Sequence, residues 1–176
     1  ATSINANGNA IRVYGDGKDG AIGTTANVTV DGGDYVGDIA IINGTTSNDS
    51  SAKKETISIS HASITGDIGN ENGVMSFVSC GITGASGNAA DIDGVTFINT
   101  TVNGETVSTD TEGNVALLNG TLYETLQAAV EAAKAGDTIT ILPGTHELAE
   151  NTTITLDKKI TIQGATNSER ERAVIK

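Results

Sequence analysis

Carboxylates, three tyrosines and two histidines are the side chains of this 176-residue chain whose placement could do chemistry. Asp31 and Asp34 lie in the run DGGDYVGD, which ends at Asp38, and Asp16 and Asp19 lie in GDGKDG. Gly-rich turns fold tightly around a hard cation and add carbonyl oxygens to carboxylates, so Asp16, Asp19, Asp31 and Asp34 are the candidate Ca²⁺ ligands. Lys18 opposes such an ion, and the regular D-x-D-x-D-G spacing is absent. Asp91 and Asp93 (DID) would share a strand face if that stretch is extended; this is read as a solvated surface pattern, and no residue is assigned a catalytic role. Tyr14 and Tyr35 flank the acidic Gly-rich turns and are the candidate stacking platforms for a sugar. Tyr123 is expected to pack between a hairpin and a helix, and Phe77 and Phe97 to fill the interior. His61 and His146 are isolated in sequence and read as surface or turn residues. Cys80, beside Val78 in a strand-like stretch, reads as a small buried apolar side chain, because a reactive thiol needs basic neighbours that it lacks. No Ser-His-Asp order stands out, and the Gly-x-Gly pieces precede no helix, the context a dinucleotide site needs.

Charge and composition exclude several classes. The net charge is −12. The basic residues are scattered, with only three Arg, which argues against nucleic acid, and the same charge disfavours anionic membrane surfaces. No apolar run approaches the roughly 18 residues that span a bilayer. With 22 Gly, one Pro, no Trp and 3% aromatic residues, the chain lacks the large rings that fill a sandwich or α/β core. An acidic, Thr/Asn/Gly-rich chain with one Cys fits a secreted or wall-attached bacterial protein better than a disulfide-built one. The sequons at Asn27, Asn43, Asn48, Asn99, Asn119 and Asn151 indicate exposed polar turns more than glycosylation.

The elements that must position these residues are short. Asn119-Gly120 predicts a two-residue hairpin turn, since a type I′ turn needs φ > 0 at both central positions. Thr125 follows as an N-cap, chosen over the rival capping box Thr121/Glu124. Leu126, Ala129, Val130 and Ala133 then form one apolar helical face, and Gly136 is a natural C′ residue, so the spacing predicts a helix over Leu126–Ala135. Beyond it the period switches to 2. Ile139, Ile141, Ile154, Leu156, Ile160 and Ile162 are expected inside and Thr140 outside, with Pro143-Gly144 turning the chain. Earlier strand-like segments are Ala26–Val30, Asp38–Ile42, Glu55–Ser60, Val74–Val78 and Gly94–Ile98. Their spacing is uneven, so they read as imperfect coils with loops of variable length. Thr45–Glu55 is the clearest long polar loop, and Asn103–Asn114 reads as a polar linker without periodicity. Residues 1–112 and 113–176 are the two expected segments.

The stretch VALLNGTLYETLQAAVEAAKAGDTITILPGTHELAENTTITLDKKITIQG, Val115 to Gly164, resembles the opening of a pectin-lyase-like right-handed parallel β-helix, as in modules of bacterial cell-surface and adhesin-type proteins. The resemblance covers about these 50 residues and implies an all-β solenoid with one internal cap-like helix. It implies a non-catalytic structural or adhesive role outside the cell, with a glycan or host surface ligand and neighbouring modules of a larger protein as partners. The alternative it implies is a fragment of a polysaccharide lyase or glycoside hydrolase, which would need clustered carboxylates and a basic residue on one face. Because Ala173–Lys176 reads as a strand just begun, the chain is expected to be part of a longer protein, with end-to-end self-association through that coil.

Overall fold

Glycines recur 29 residues apart at Gly8, Gly37 and Gly66, and again at Gly15, Gly44 and Gly73. A computed structural model describes residues 3–15, 26–46, 54–85, 92–108, 113–148, 153–165 and 172–176; Asp16, Asp19 and Asp91 lie outside the described residues. The fold is mostly β, with one short helix among the described residues. The chain divides into two compact units, Ala1–Thr109 and Asp110–Lys176.

In the first unit the glycine spacing is the spacing of strand pairing. Strand β1 (Ser3–Tyr14) lies parallel to β2 (Asn27–Ile42), and β2 lies parallel to β3 (Thr56–Thr65) and β4 (Ile68–Asn70). Between β2 and β3 each residue pairs with the one 29 later, as the Thr56–Asn27 side-chain bond also records. The next steps shorten. Strand β3 pairs with β5 (Val74–Val78) and β6 (Gly81–Thr83), and the bond between Ser76 and Ser58 spans 18 residues. Strands β7 (Val95–Ile98) and β8 (Thr100–Val102) follow in parallel on β5 and β6. The spacing from Ile57 to Val95 that looks irregular in sequence is thus two steps, Ile57 to Met75 and Met75 to Val95.

Constant register lines up like residues. Ile4, Tyr35, Ile64, Ile82 and Val102 form one row, and Val30, Ile59, Phe77 and Phe97 another. Phe77 and Phe97 are buried and stacked, ring centroids 5.5 Å apart, and Cys80 is buried with them. The turns line up as well. Gly32, His61, Ser79 and Asn99 fall opposite one another by register, and all have positive φ (75°, 52°, 53° and 47°). Each such residue shifts the inward face by one position. Ile57 and Ile59 point in before His61, Ala62 and Ile64 after it.

Glycine is required where successive segments touch. Gly37 has φ +124°, and a Cβ there would lie 2.5 Å from the carbonyl oxygen of Gly8; a Cβ on Gly66 would meet the Gly37 oxygen at 2.4 Å. The expected linker begins with structure. Asn103 and Gly104 have φ 51° and 87° and close a two-residue hairpin from β8 into β9 (Glu105–Val107). This is the signal that the sequence offers again at Asn119-Gly120.

In the second unit Asn119 (φ 48°) and Gly120 (φ 76°) join β10 (Ala116–Leu118) to β11 (Thr121–Tyr123) as an antiparallel hairpin. Thr125 caps helix α1 (Leu126–Ala132) by accepting from the Ala128 N–H. The helix is three residues shorter than its pattern predicts. Ala133 turns extended (φ −64°, ψ 149°), because the Lys158 ammonium takes the carbonyls of Val130, Glu131 and Ala133. Gly136, expected to end the helix, has φ +94° and donates instead to the Lys159 carbonyl. Leu126, Ala129, Val130 and Ala133 pack on Ala116, Leu118, Ile139 and Ile141, with Tyr123 against them.

Strand β12 (Thr138–Ile141) lies between antiparallel β10 and parallel β14 (Thr161–Gly164), and β13 (Gly144–His146) pairs in parallel with β15 (Ala173–Ile175). Ile139 and Ile141 are buried as expected, but three other expectations are corrected. Residues 153–157 form no strand, and Leu156 is 56% exposed, because the ladder position beside β12 is taken by the later segment Thr161–Gly164. Ile162 is 36% exposed on that outer strand. Thr140 is buried rather than outside, accepting from Gln163 Nε2 at 3.2 Å.

Candidate functional site

The row of left-handed turns carries the one ion pair among the described residues. His61 Nδ1 lies 2.7 Å from Asp31 Oδ1, and Ser60 Oγ donates to the same oxygen at 2.9 Å. Strand register makes the cluster. Ser60 pairs with Asp31, so His61 falls beside Gly32 and its ring reaches back to the carboxylate. A non-glycine residue with φ > 0 is uncommon, though His is among those that tolerate it, and the bond to Asp31 fixes His61 there. The His61 hydrogen bond holds the Asp31 carboxyl below its usual range, with partial burial opposing and Ser60 adding to the effect. Since Asp31 is a carboxylate and accepts, Nδ1 carries the proton, and Nε2 of the neutral ring is left as the acceptor.

An imidazole oriented by a carboxylate is half of a general-base device. The other half is missing from the cluster. The nearby hydroxyl, Ser60, bonds Asp31 rather than Nε2, so no nucleophile is aligned with the ring. What the trio does is tie β2 to β3 at a turn.

The other expected residues are dispersed. Asp34 is exposed on β2, in register with Ser3 and Ser63, and separated from Asp31 by Gly32-Gly33. Asp16 and Asp19, expected to share the cation, lie outside the described residues. No group of three or more His, Cys, Asp or Glu able to hold a metal occurs among the described residues. Tyr35 is corrected as a stacking platform. It is 3% exposed, because its register row is an interior one, and its hydroxyl donates to the Gly32 carbonyl at 3.0 Å. Tyr14 is 59% exposed near the end of β1, and the Arg12 guanidinium lies over its ring at 5.1 Å from the centroid. Arg12 and Tyr14 flank buried Val13, so both project from the outer face as a cation–π pair.

Other polar groups serve the backbone. Glu55, at one end of the expected polar loop, is 4% exposed and accepts from the Thr45 N–H at 2.9 Å. Glu71 accepts from the Asn43 N–H, Asp38 from the Asp67 N–H, and Asn103 from the Gly84 N–H. His146 Nε2 lies 2.8 Å from the Leu142 carbonyl oxygen. Burial pushes the Cys80 thiol up to about 11, and its sulfur lies 3.4 Å from the Val78 carbonyl oxygen. Sequence reading missed the Asp31–His61 pair. The 29-residue glycine spacing would have found it, since it sets Ser60 and His61 beside Asp31 and Gly32.

Among the described residues no helix is long and apolar enough to cross a membrane. Comparison with protein-family models, with curated proteins and with solved structures gives no match.

Proposed function

We propose that this chain is a non-catalytic structural or adhesive segment of a secreted or cell-surface bacterial protein, built as a right-handed parallel β-helix of the pectin-lyase-like kind. Its work is to extend and to present an outer wall of small polar side chains to a glycan or another surface ligand. The observation that carries the reading is where the polar side chains go. Asn27 with Thr56, Ser58 with Ser76, Asp31 with Ser60 and His61, and Asp38 with the Asp67 N–H each bond from one strand to the next in the parallel ladder. These groups hold neighbouring strands together and leave no aligned acid, base and nucleophile at the one dyad. Tyr14 with Arg12 is the exposed aromatic patch that a sugar face would meet.

The test is an incubation with pectate and with alginate, with and without Ca²⁺, followed by the absorbance of unsaturated products. The expected result is no turnover above background. Turnover that disappears in Arg12→Ala or His61→Ala would overturn this reading and support a lyase fragment.

A further inference from the structure

The ladder of the first unit begins at β1, whose outer edge has no strand partner among the described residues. This edge is 12 residues long and reads SINANGNAIRVY. Natural edge strands are blunted with charges, prolines, bulges or shortness, because a row of unpaired N–H and C=O groups invites another strand. The only charged side chain on β1 is Arg12, in a chain of net charge −12.

Gly8 adds a second, independent observation. In its row every later glycine has the preceding segment beside the place where a Cβ would stand. The Gly8 carbonyl oxygen is 2.5 Å from that place at Gly37, the Gly37 oxygen 2.4 Å from it at Gly66, and the Gly66 nitrogen 3.6 Å from it at Gly84. At Gly8 there is nothing within 4 Å. Nothing described in the chain demands glycine at position 8. The residue fits a row in which one more segment lies on the β1 edge and sets a carbonyl against it.

We propose that the outer edge of β1 is a docking surface for an added parallel strand with the same G-x6-G pattern, its first glycine carbonyl seated against Gly8. The occupant is a strand from another polypeptide segment with the pattern of Gly37 to Gly44, not β1 of a second copy. An antiparallel β1–β1 pair would not reproduce the parallel row. The added strand continues an interface that already exists twice, between β1 and β2 and between β2 and the β3/β4 row. In the register that β2 keeps to the row after it, position 41 of such a strand falls over Arg12, so an Ile there avoids a second charge at that place. The inference rests on the ladder and the glycine row, not on the surface-protein role proposed above.

The test uses the full chain and a fluorescein-labelled peptide of the sequence GGDYVGDIAIING, residues 32–44. Fluorescence polarisation should show saturable binding that a scrambled peptide lacks, with slowed amide exchange along β1. Gly8→Val should weaken binding by about tenfold or more, a change of about 1.4 kcal/mol, while leaving the melting temperature of the free chain unchanged, because the site is open. No saturable binding at millimolar peptide would overturn the proposal. So would binding insensitive to Gly8→Val, or a chain that dimerises through β1 and excludes the peptide.

Discussion

Lys158 reaches back 28 residues to place its ammonium 3.0 Å from the carbonyl oxygen of Val130, in the last turn of α1. The same nitrogen donates to Glu131 at 2.9 Å and to Ala133 at 3.0 Å. A helix end leaves carbonyls without intrahelical partners and carries partial negative charge, so one cation there satisfies both needs. The helix has no basic residue of its own in its last turn.

Lys158→Met keeps much of the side-chain volume and removes the donor. It should destabilise the second unit by about 1–3 kcal/mol, the range for a hydrogen bond to a charged group, read as a lower urea midpoint. Lys158→Arg should recover part of the loss. If Lys158→Met melts like the parent chain, the helix end is held by packing alone.

Gly37 and Gly8 should respond in opposite ways to the same change. Gly37→Ala places a Cβ in a left-handed conformation and against the Gly8 carbonyl oxygen, and should cost about 1–3 kcal/mol or more. Gly8→Ala meets nothing and should be neutral or stabilising by up to about 1 kcal/mol through the unfolded chain. Equal midpoints for the two variants would refute the glycine row as the point of contact.

Strand β12 tests the core of the second unit. Ile139→Ala, at a fully buried site, should cost about 2–5 kcal/mol. Thr140→Ala should cost about 0.5–1.5 kcal/mol, the net worth of an ordinary hydrogen bond, here with Gln163. Leu156→Ala, at an exposed site, should stay within about 0.5 kcal/mol. A ranking with Leu156 above Thr140 would contradict the register of β12 and β14.

Two groups set the pH dependence. Cys80 has a folded-state pKa raised from its ordinary 9.0 to about 11. Its contribution is full below pH 9.0 and is lost as pH rises toward about 11, because the unfolded thiol ionises first. Cys80→Ala should flatten the fall in stability over that window, and a thiol reagent at neutral pH should label Cys80 only as fast as the chain opens. Asp31 has the opposite sign. Its folded pKa is depressed by His61, so its contribution holds above the ordinary Asp range and is lost as pH falls through the depressed value. Asp31→Asn should remove that part of the acid sensitivity; an unchanged acid limb in urea melts taken from pH 5 downward would count against the pair.

What the sequence determined by itself was local. Asn119-Gly120 makes a hairpin because two adjacent positive-φ positions need only those two residues, and Thr125 caps α1 because its hydroxyl reaches Ala128 within one turn. The apolar alternation of Val74–Val78 made a strand with those bounds, and buried Phe77, Phe97 and Cys80 were legible from residue type and pattern. The same local signal at Asn103-Gly104 was present and went unread. The tertiary structure alone decided which strands lie side by side, and with that the fate of several side chains. Tyr35 went inside because its row aligns with Ile4 and Ile64, and Asp31 met His61 across 30 residues. Thr140 was covered by Gln163, and α1 stopped early for a lysine far along the chain. The division has a physical cause. Turns and caps are set by the dihedral preferences of adjacent residues, whereas register is set by contacts 18 to 30 residues apart, where one step of slip reverses every inward and outward side chain.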